Sequence, residues 1–339
     1  MAAAPATLRV YGPGLLLTSV AVLVAIAISA LAGPALGALT VAVVLGAVLA
    51  NVRELPAALS PGLRFASRTL LRAGVVLLGL TVTLDEVRQL GWEGILILTL
   101  VVGATFAATA WLGGRMGVNR PTSVLIATGT AVCGASAIAA MSAVLPDRDE
   151  DIDDGAAVAI ASVTLYGTVA LITFPFLMAP LGLDDLTYGA WVGSSVHEVG
   201  QVVAAAAPVA SPGPESAIIV KLTRVLLLAP LVAVMAWQFR RAAPEGTGEA
   251  GKAPSPVPPF LLGFIALVLI GSWVDLPERF LEVAGLAKDA LLAAAMFGLG
   301  TGVVVSTLIK QGRNALLLGG ISSVFIAVVA LIGVRIVAG

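Results

Sequence analysis

Gly193-Ser194-Ser195-Val196-His197-Glu198-Val199-Gly200-Gln201 is a polar stretch inside an apolar run from Leu186 to Ala207. It holds the only histidine of the 339-residue chain, next to a carboxylate. About ten residues at 1.5 Å each place that pair roughly 15 Å into a helix of membrane-crossing length, near the middle of a ~30 Å hydrocarbon layer. Ionisable groups are costly at that depth and mark substrate or proton pathways. On a continuous helix Ser194, His197, Glu198 and Gln201 form one polar stripe. His197 and Glu198, with Gln201 beside them, are therefore the expected proton-coupling residues, because either can change protonation in a working pH range.

The rest of the chain has the composition of a lipid-embedded protein. Hydrophobic residues make up 59% and charged residues 12%, with mean hydropathy +1.04, against ~45–50% and ~25% in soluble domains. The net charge of −1 offers no polybasic field for nucleic acid. One cysteine excludes a disulfide framework, and one histidine with one cysteine disfavours a metal site. No cofactor is expected. The apolar runs do not alternate with polar residues as a membrane barrel requires, so the expected class is all-α and polytopic.

Eleven spans are read: Leu15–Ala30, Pro34–Val52, Ser67–Leu84, Trp92–Gly113, Pro121–Leu145, Gly155–Ala179, Leu186–Ala207, Ser216–Phe239, Val257–Val274, Phe280–Leu308 and Ala315–Val337. The first is read as a span rather than a cleaved signal, since its apolar core exceeds a usual signal core. If the spans alternate, Arg9, Arg53, Arg64, Arg68, Arg72, Arg115, Arg120, Arg240, Arg241, Lys252, Lys310 and Arg313 fall on one side. That side is cytoplasmic by the positive-inside rule, with the N-terminus inside and the C-terminus outside. The acidic Leu181–Asp185 turn then falls inside as an exception. The Pro- and Gly-rich segment Arg240–Pro259 reads as a cytoplasmic linker, 240–257 at its core.

Spans five and ten carry glycine and small hydroxyl residues at their centres: Thr128-Gly129-Thr130-Ala131-Val132-Cys133-Gly134-Ala135-Ser136 and Phe297-Gly298-Leu299-Gly300-Thr301-Gly302. Each reads as a discontinuous helix, with Gly134 and Gly300 permitting the breaks. Spans two to six and seven to eleven each number five, the fourth interrupted in both, and an odd repeat must insert upside down. The expected organisation is residues 1–33 as an extra N-terminal helix, then inverted five-helix repeats over 34–180 and 181–339. Paired broken helices in inverted repeats are the architecture of many secondary transporters. A second half-helix starting at Cys133-Gly134-Ala135-Ser136 presents amides able to cradle an anion. Lys221 and Arg224, three apart in span eight, add positive charge. Lys221 can either snorkel outward or reach the substrate, and the Arg224 fork suits an oxyanion. The expected substrate-binding set is Cys133, Gly134, Ser136, Ser194, Lys221, Arg224, Gly300 and Thr301, with a small anionic substrate.

His197-Glu198-Val199-Gly200-Gln201 is not a zinc-protease motif, since Gln201 takes the place of the second histidine. An intramembrane serine protease using Ser136 and His197 is the rival from another class. It leaves the matched second break unexplained, and the chain is read as a non-enzyme.

Three segments carry a family resemblance: Cys133-Gly134-Ala135-Ser136-Ala137, the stretch Gly193–Ala204, and Lys221-Leu222-Thr223-Arg224-Val225-Leu226-Leu227-Leu228-Ala229-Pro230. In this order, over nearly the whole chain, they resemble the bacterial YeiH-type (UPF0324) inner-membrane proteins proposed to export sulfate. Gly200 stands where relatives carry alanine. The resemblance implies an inner-membrane anion exporter, similar in architecture to bile-acid symporters and cation/proton antiporters. The expectation is a transporter exporting sulfate or a similar sulfur oxyanion, coupled to protons or Na⁺. An organic-anion or cation/proton antiporter on the same scaffold is the alternative. The sequence leaves oligomeric state, a homodimer included, open.

Overall fold

A computed structural model describes residues 6–32, 37–142, 144–145, 152–242, 259–304 and 312–338. The linker core 243–258, the acidic segment 146–151 and residues 305–311 lie outside the described residues.

Every described element is helical, as runs with no alternation dictate. In chain order they are α1 (Ala6–Ala32), α2 (Ala38–Val52), α3 (Ser60–Phe65), a π-helical turn (Ala66–Leu70), α4 (Leu71–Leu78), α5 (Leu84–Gln89), α6 (Gly91–Arg115), α7 (Arg120–Ala131) and α8 (Ala135–Ser142). They continue with α9 (Ile152–Met178), α10 (Asp185–Ser195), α11 (Val199–Ala206), α12 (Gly213–Leu226), α13 (Leu228–Ala242), α14 (Pro259–Trp273), α15 (Glu278–Gly300) and α16 (Arg313–Ala338). Among the described residues, five stretches are long and apolar enough to cross a membrane: Arg9–Leu31, Gly91–Arg115, Gly155–Met178, Gly213–Phe239 and Arg313–Val337.

Two segments read as through-running spans, the first with a break at Gly134, instead double back. The first is α7–α8. Asn119 caps α7 by accepting the Thr122 amide at 2.9 Å, and Pro121 sits in its first turn, a common helix start. At the far end Gly134 takes φ +68°, the left-handed region glycine enters without penalty, and the chain reverses. Ile138 of α8 therefore packs on Gly129 of α7. At the mouth, a Cβ on Gly155 of α9 would lie 2.5 Å from Thr122 Oγ1.

The second is α10–α11. Asp184 caps α10 through the Thr187 amide at 2.7 Å, and that amide with the Thr187 hydroxyl holds its carboxyl below the usual range. Val196 and Glu198 are extended, with ψ of 145° and 144°, so α11 leaves in a new direction. Tyr188 Oη donates to the Ala205 carbonyl at 2.9 Å across 17 residues. A straight rod would separate the two by about 25 Å.

The last helix measures how the hairpins stand. α16 has 26 residues, about 39 Å of length. Near its start Asn314 Nδ2 donates to the Met116 carbonyl at 2.9 Å, beside the mouth of α7–α8. Near its end Arg335 donates to the Leu181 carbonyl, beside the mouth of α10–α11. Midway, Trp191 Nε1 donates to the Ala327 carbonyl at 2.8 Å, and His197 meets Ser323. The hairpins thus enter from opposite ends, and their tips meet at the middle.

This arrangement corrects two expectations. Pro121–Leu145 and Leu186–Ala207 turn back instead of running through, because their polar centres satisfy a tip as well as a mid-span break. A further interruption lies at Val196–Glu198, inside the polar stretch. α15 runs from Glu278 and ends at Gly300, inside the span expected to reach Leu308 and at the glycine expected to permit a break, and residues 301–304 are not helical; its glycines also serve close packing. A Cβ on Gly300 would strike the α2 backbone at Val43 and Ala47, and one on Gly46 would strike Phe297. The Leu181–Asp185 turn lies at the Arg335 end, opposite the Met116 loop, so it is no exception to the charge rule. The sequence halves interleave: α2 lies along α15, and α16 packs on α6 and α9.

Candidate functional site at the hairpin crossing

Helix α7 and helix α10 both point their carbonyl ends at the crossing. A helix leaves its last four carbonyls without intrahelical donors and gathers negative partial charge there. Two such ends face to face in a water-poor interior need cations, and α12 supplies them. Lys221 and Arg224 lie one turn apart on its inward face, fully buried. Lys221 Nζ donates to the carbonyls of Val132 at 2.6 Å and Val196 at 2.8 Å. Arg224 Nε and Nη2 donate to Ala131 at 3.2 and 2.7 Å, and Nη2 also to Thr130 at 3.0 Å. Its Nη1 donates to Gly193 at 3.1 Å and Val196 at 3.3 Å. All five guanidinium N–H groups therefore meet backbone oxygen.

Glu198 links the tips directly. Its Oε1 accepts the amide of Ala135, the first residue of α8, at 2.7 Å. A Cβ on Gly134 would coincide with that carboxylate, so the residue there must lack a side chain on two grounds. Gln201 Oε1 accepts the Glu198 amide at 3.2 Å, capping α11. Gln201 Nε2 reaches α9, donating to the Thr164 carbonyl at 3.0 Å and Thr168 Oγ1 at 3.3 Å. His197 is buried, with Nε2 2.7 Å from Ser323 Oγ. That hydroxyl donates to the Gly319 carbonyl at 2.7 Å, which leaves the imidazole as the donor to Ser323.

A cavity of about 380 Å³ opens beside the crossing. Cys133, Glu198 and Val199 close its inner end; Ala135, Ser136 and Ala139 of α8 form one wall and Ala157 to Thr164 of α9 another. Gly298, Leu299 and Gly302 line it at the end of α15. The segment from α3 through the π turn to α4 contributes Arg64, Ser67, Arg68, Leu71 and Arg72.

The sequence-based site is partly assembled and partly redistributed. Cys133, Gly134, His197, Glu198, Gln201, Lys221 and Arg224 gather at the tips, and Ser136 faces the cavity. Lys221 does not snorkel, and with Arg224 it builds the crossing, its donors engaged by carbonyls rather than presented to an anion. The α8 amide expected to cradle substrate holds Glu198. The polar stripe is divided by the chain reversal: Ser194, on the α10 arm, donates to the Trp191 carbonyl at 3.1 Å, while Gln201 belongs to α11. Gly300 and Thr301 do not line the cavity although their neighbours do; Thr301 Oγ1 donates to the Gly298 carbonyl at 2.8 Å. His197 pairs with Ser323, not with Ser136 as a protease dyad requires. The arginines of the cavity wall were read only as markers of sidedness; their spacing of four was the available signal.

Long apolar helices enclosing two opposed half-depth hairpins, with buried charge at their meeting point, define a polytopic α-helical membrane protein. A family profile described as "Conserved hypothetical protein 698" matches residues 13–319. The chain is 38% identical over 327 residues to a UPF0324 membrane protein of Corynebacterium glutamicum, covering 96% of this chain and 92% of the relative. It is 34% identical over 322 residues to a UPF0324 membrane protein of Pseudomonas aeruginosa, covering 91% and 89%. With the UPF0324 inner membrane protein YeiH of Escherichia coli it shares 34% over 320 residues, covering 92% and 90%. The protein belongs to the UPF0324 membrane protein family. No solved structure matches it.

Proposed function

We propose that this protein is a secondary active transporter of the bacterial inner membrane that exports sulfate or a similar small sulfur oxyanion, coupled to protons, and not an enzyme. The observation that carries the reading is the meeting of two opposed hairpins at mid-depth, beside a cavity that reaches their tips. Irregular backbone at membrane depth is tolerated where protein or a wet cavity satisfies it, and in transporters such interruptions surround the substrate. The exposed arginines of the cavity wall, rather than the engaged Lys221 and Arg224, support an anion. The inner-membrane location follows the relatives named YeiH. The arginine-rich loops put the N-terminus inside and the C-terminus outside.

In this reading the two hairpins are the inverted elements, one from each side, and alternating access moves them against the surrounding helices. Glu198 is the coupling group. As a carboxylate it holds the Ala135 amide across the crossing, and protonation weakens that acceptor and lets the tips part. His197, a donor to Ser323 on α16, is the second candidate for the proton.

The test is uptake of radiolabelled sulfate by proteoliposomes holding the full chain, with and without an imposed pH gradient. Wild type is expected to move sulfate faster with the gradient. Glu198→Gln keeps an acceptor for Ala135, so it is expected to keep sulfate exchange while losing the gradient's effect. Absence of flux for sulfate and other small anions in both orientations sinks the transport reading. An unchanged gradient response in Glu198→Gln sinks the coupling role.

A further inference from the structure

We infer that Arg64, Arg68 and Arg72 form the anion-binding rail of the cavity, and that their ligand is a small multivalent oxyanion. The inference rests on the transport reading for its biological role, but not for the binding itself. All three side chains line the cavity, and all are exposed. On a regular helix, residues four apart drift about 40° around the axis per step. The wider π turn at Ala66–Leu70 lies between the first and last of them and reduces that drift, keeping the three guanidiniums on one wall. Such turns are frequent at functional sites.

Charge accounting separates these arginines from the buried pair. Lys221 and Arg224 give their hydrogen bonds to backbone. Among the described residues the salt bridges are Arg88–Asp85 and Lys288–Asp289, which involve none of the three. The carboxylate on the cavity wall, Glu198, is engaged by Ala135. Three forks without an ion-pair partner among the described residues, around about 380 Å³, suit bidentate contact with an ion carrying several equivalent oxygens and more than one charge. A topological signal requires only cations on the correct side, as exposed Arg53 supplies; it requires neither a common face nor a shared cavity.

The experiment measures two quantities on the full chain: sulfate flux in proteoliposomes, and stabilisation of nanodisc-embedded protein against heat by sulfate or nitrate. Arg68→Gln is expected to raise KM for sulfate about tenfold or more, with kcat less affected, as loss of a charge-assisted hydrogen bond implies. Arg68→Lys should fall between, and Arg53→Gln should match wild type. Sulfate should stabilise wild type more than nitrate, and Arg68→Gln should abolish the difference. If Arg68→Gln fails to fold, Arg72→Gln takes its place. Sulfate flux with an unchanged KM in the variant overturns the rail and leaves transport standing. Sulfate binding lost in the variant, with no flux in wild type, upholds the rail and overturns transport. Neither binding nor flux overturns both.

Discussion

Replacing Arg224 with methionine separates a builder of the crossing from a substrate ligand. The substitution nearly preserves length and packing but leaves the carbonyls of Thr130, Ala131 and Gly193 without the donors they now have; Val196 keeps Lys221. Buried polar groups left unsatisfied cost about 1–3 kcal/mol each, so the gross loss is about 3–9 kcal/mol. Against this, a buried guanidinium no longer needs to be desolvated, which is worth several kcal/mol. Removing one member of a buried charged constellation leaves a net loss on the order of 3–5 kcal/mol. Arg224→Lys keeps the charge without the fork and should lose about half as much. The assay is reversible SDS titration in bicelles, with hydrogen exchange read at the tips. Destabilisation should appear without any ligand, and exchange should rise at Ala135 and Val199. Wild-type stability in Arg224→Met, accompanied by weaker anion binding, would refute the structural role and restore the expectation of a substrate contact.

Gly134→Ala should be costly for two separate reasons. A left-handed residue with a Cβ loses about 1–2 kcal/mol, and the added methyl displaces the Glu198 carboxylate. A drop of at least 2 kcal/mol in the same titration is expected, and a neutral result contradicts the tip geometry. The doubling back of α10–α11 is tested by labelling Ala179→Cys and Ala210→Cys in intact vesicles, since native Cys133 is buried. Both positions are exposed and should react with an impermeant maleimide from the same side. Labelling from opposite sides would mean a through-running span.

Hydropathy made the helical class and the membrane setting legible, and a lone His-Glu pair in an apolar run located the crossing of the two hairpins. The reversal of direction was hidden, because a 22-residue apolar segment with a polar centre reads alike as one rod or two arms. Short arms capped at their mouths by Asn119 and Asp184 were the clue in letters. Glycine carried more than one meaning: Gly134 turns the chain, whereas Gly300 both ends α15 and lets α2 approach. The role of Arg224 lay beyond sequence reading altogether, since its partners are carbonyl oxygens, which every residue type carries. The arginines at 64, 68 and 72 were visible but absorbed by the charge rule, which speaks to sidedness and not to their spacing.

One rod, α12, grips both re-entrant arms through two adjacent side chains. Displacing either arm by an ångström or two would drag those grips off the other, so the pair must shift in concert or the rod must shift with them. In the transport reading, mechanical communication between the two faces of the bilayer would then need no long relay; a single turn of helix would supply it.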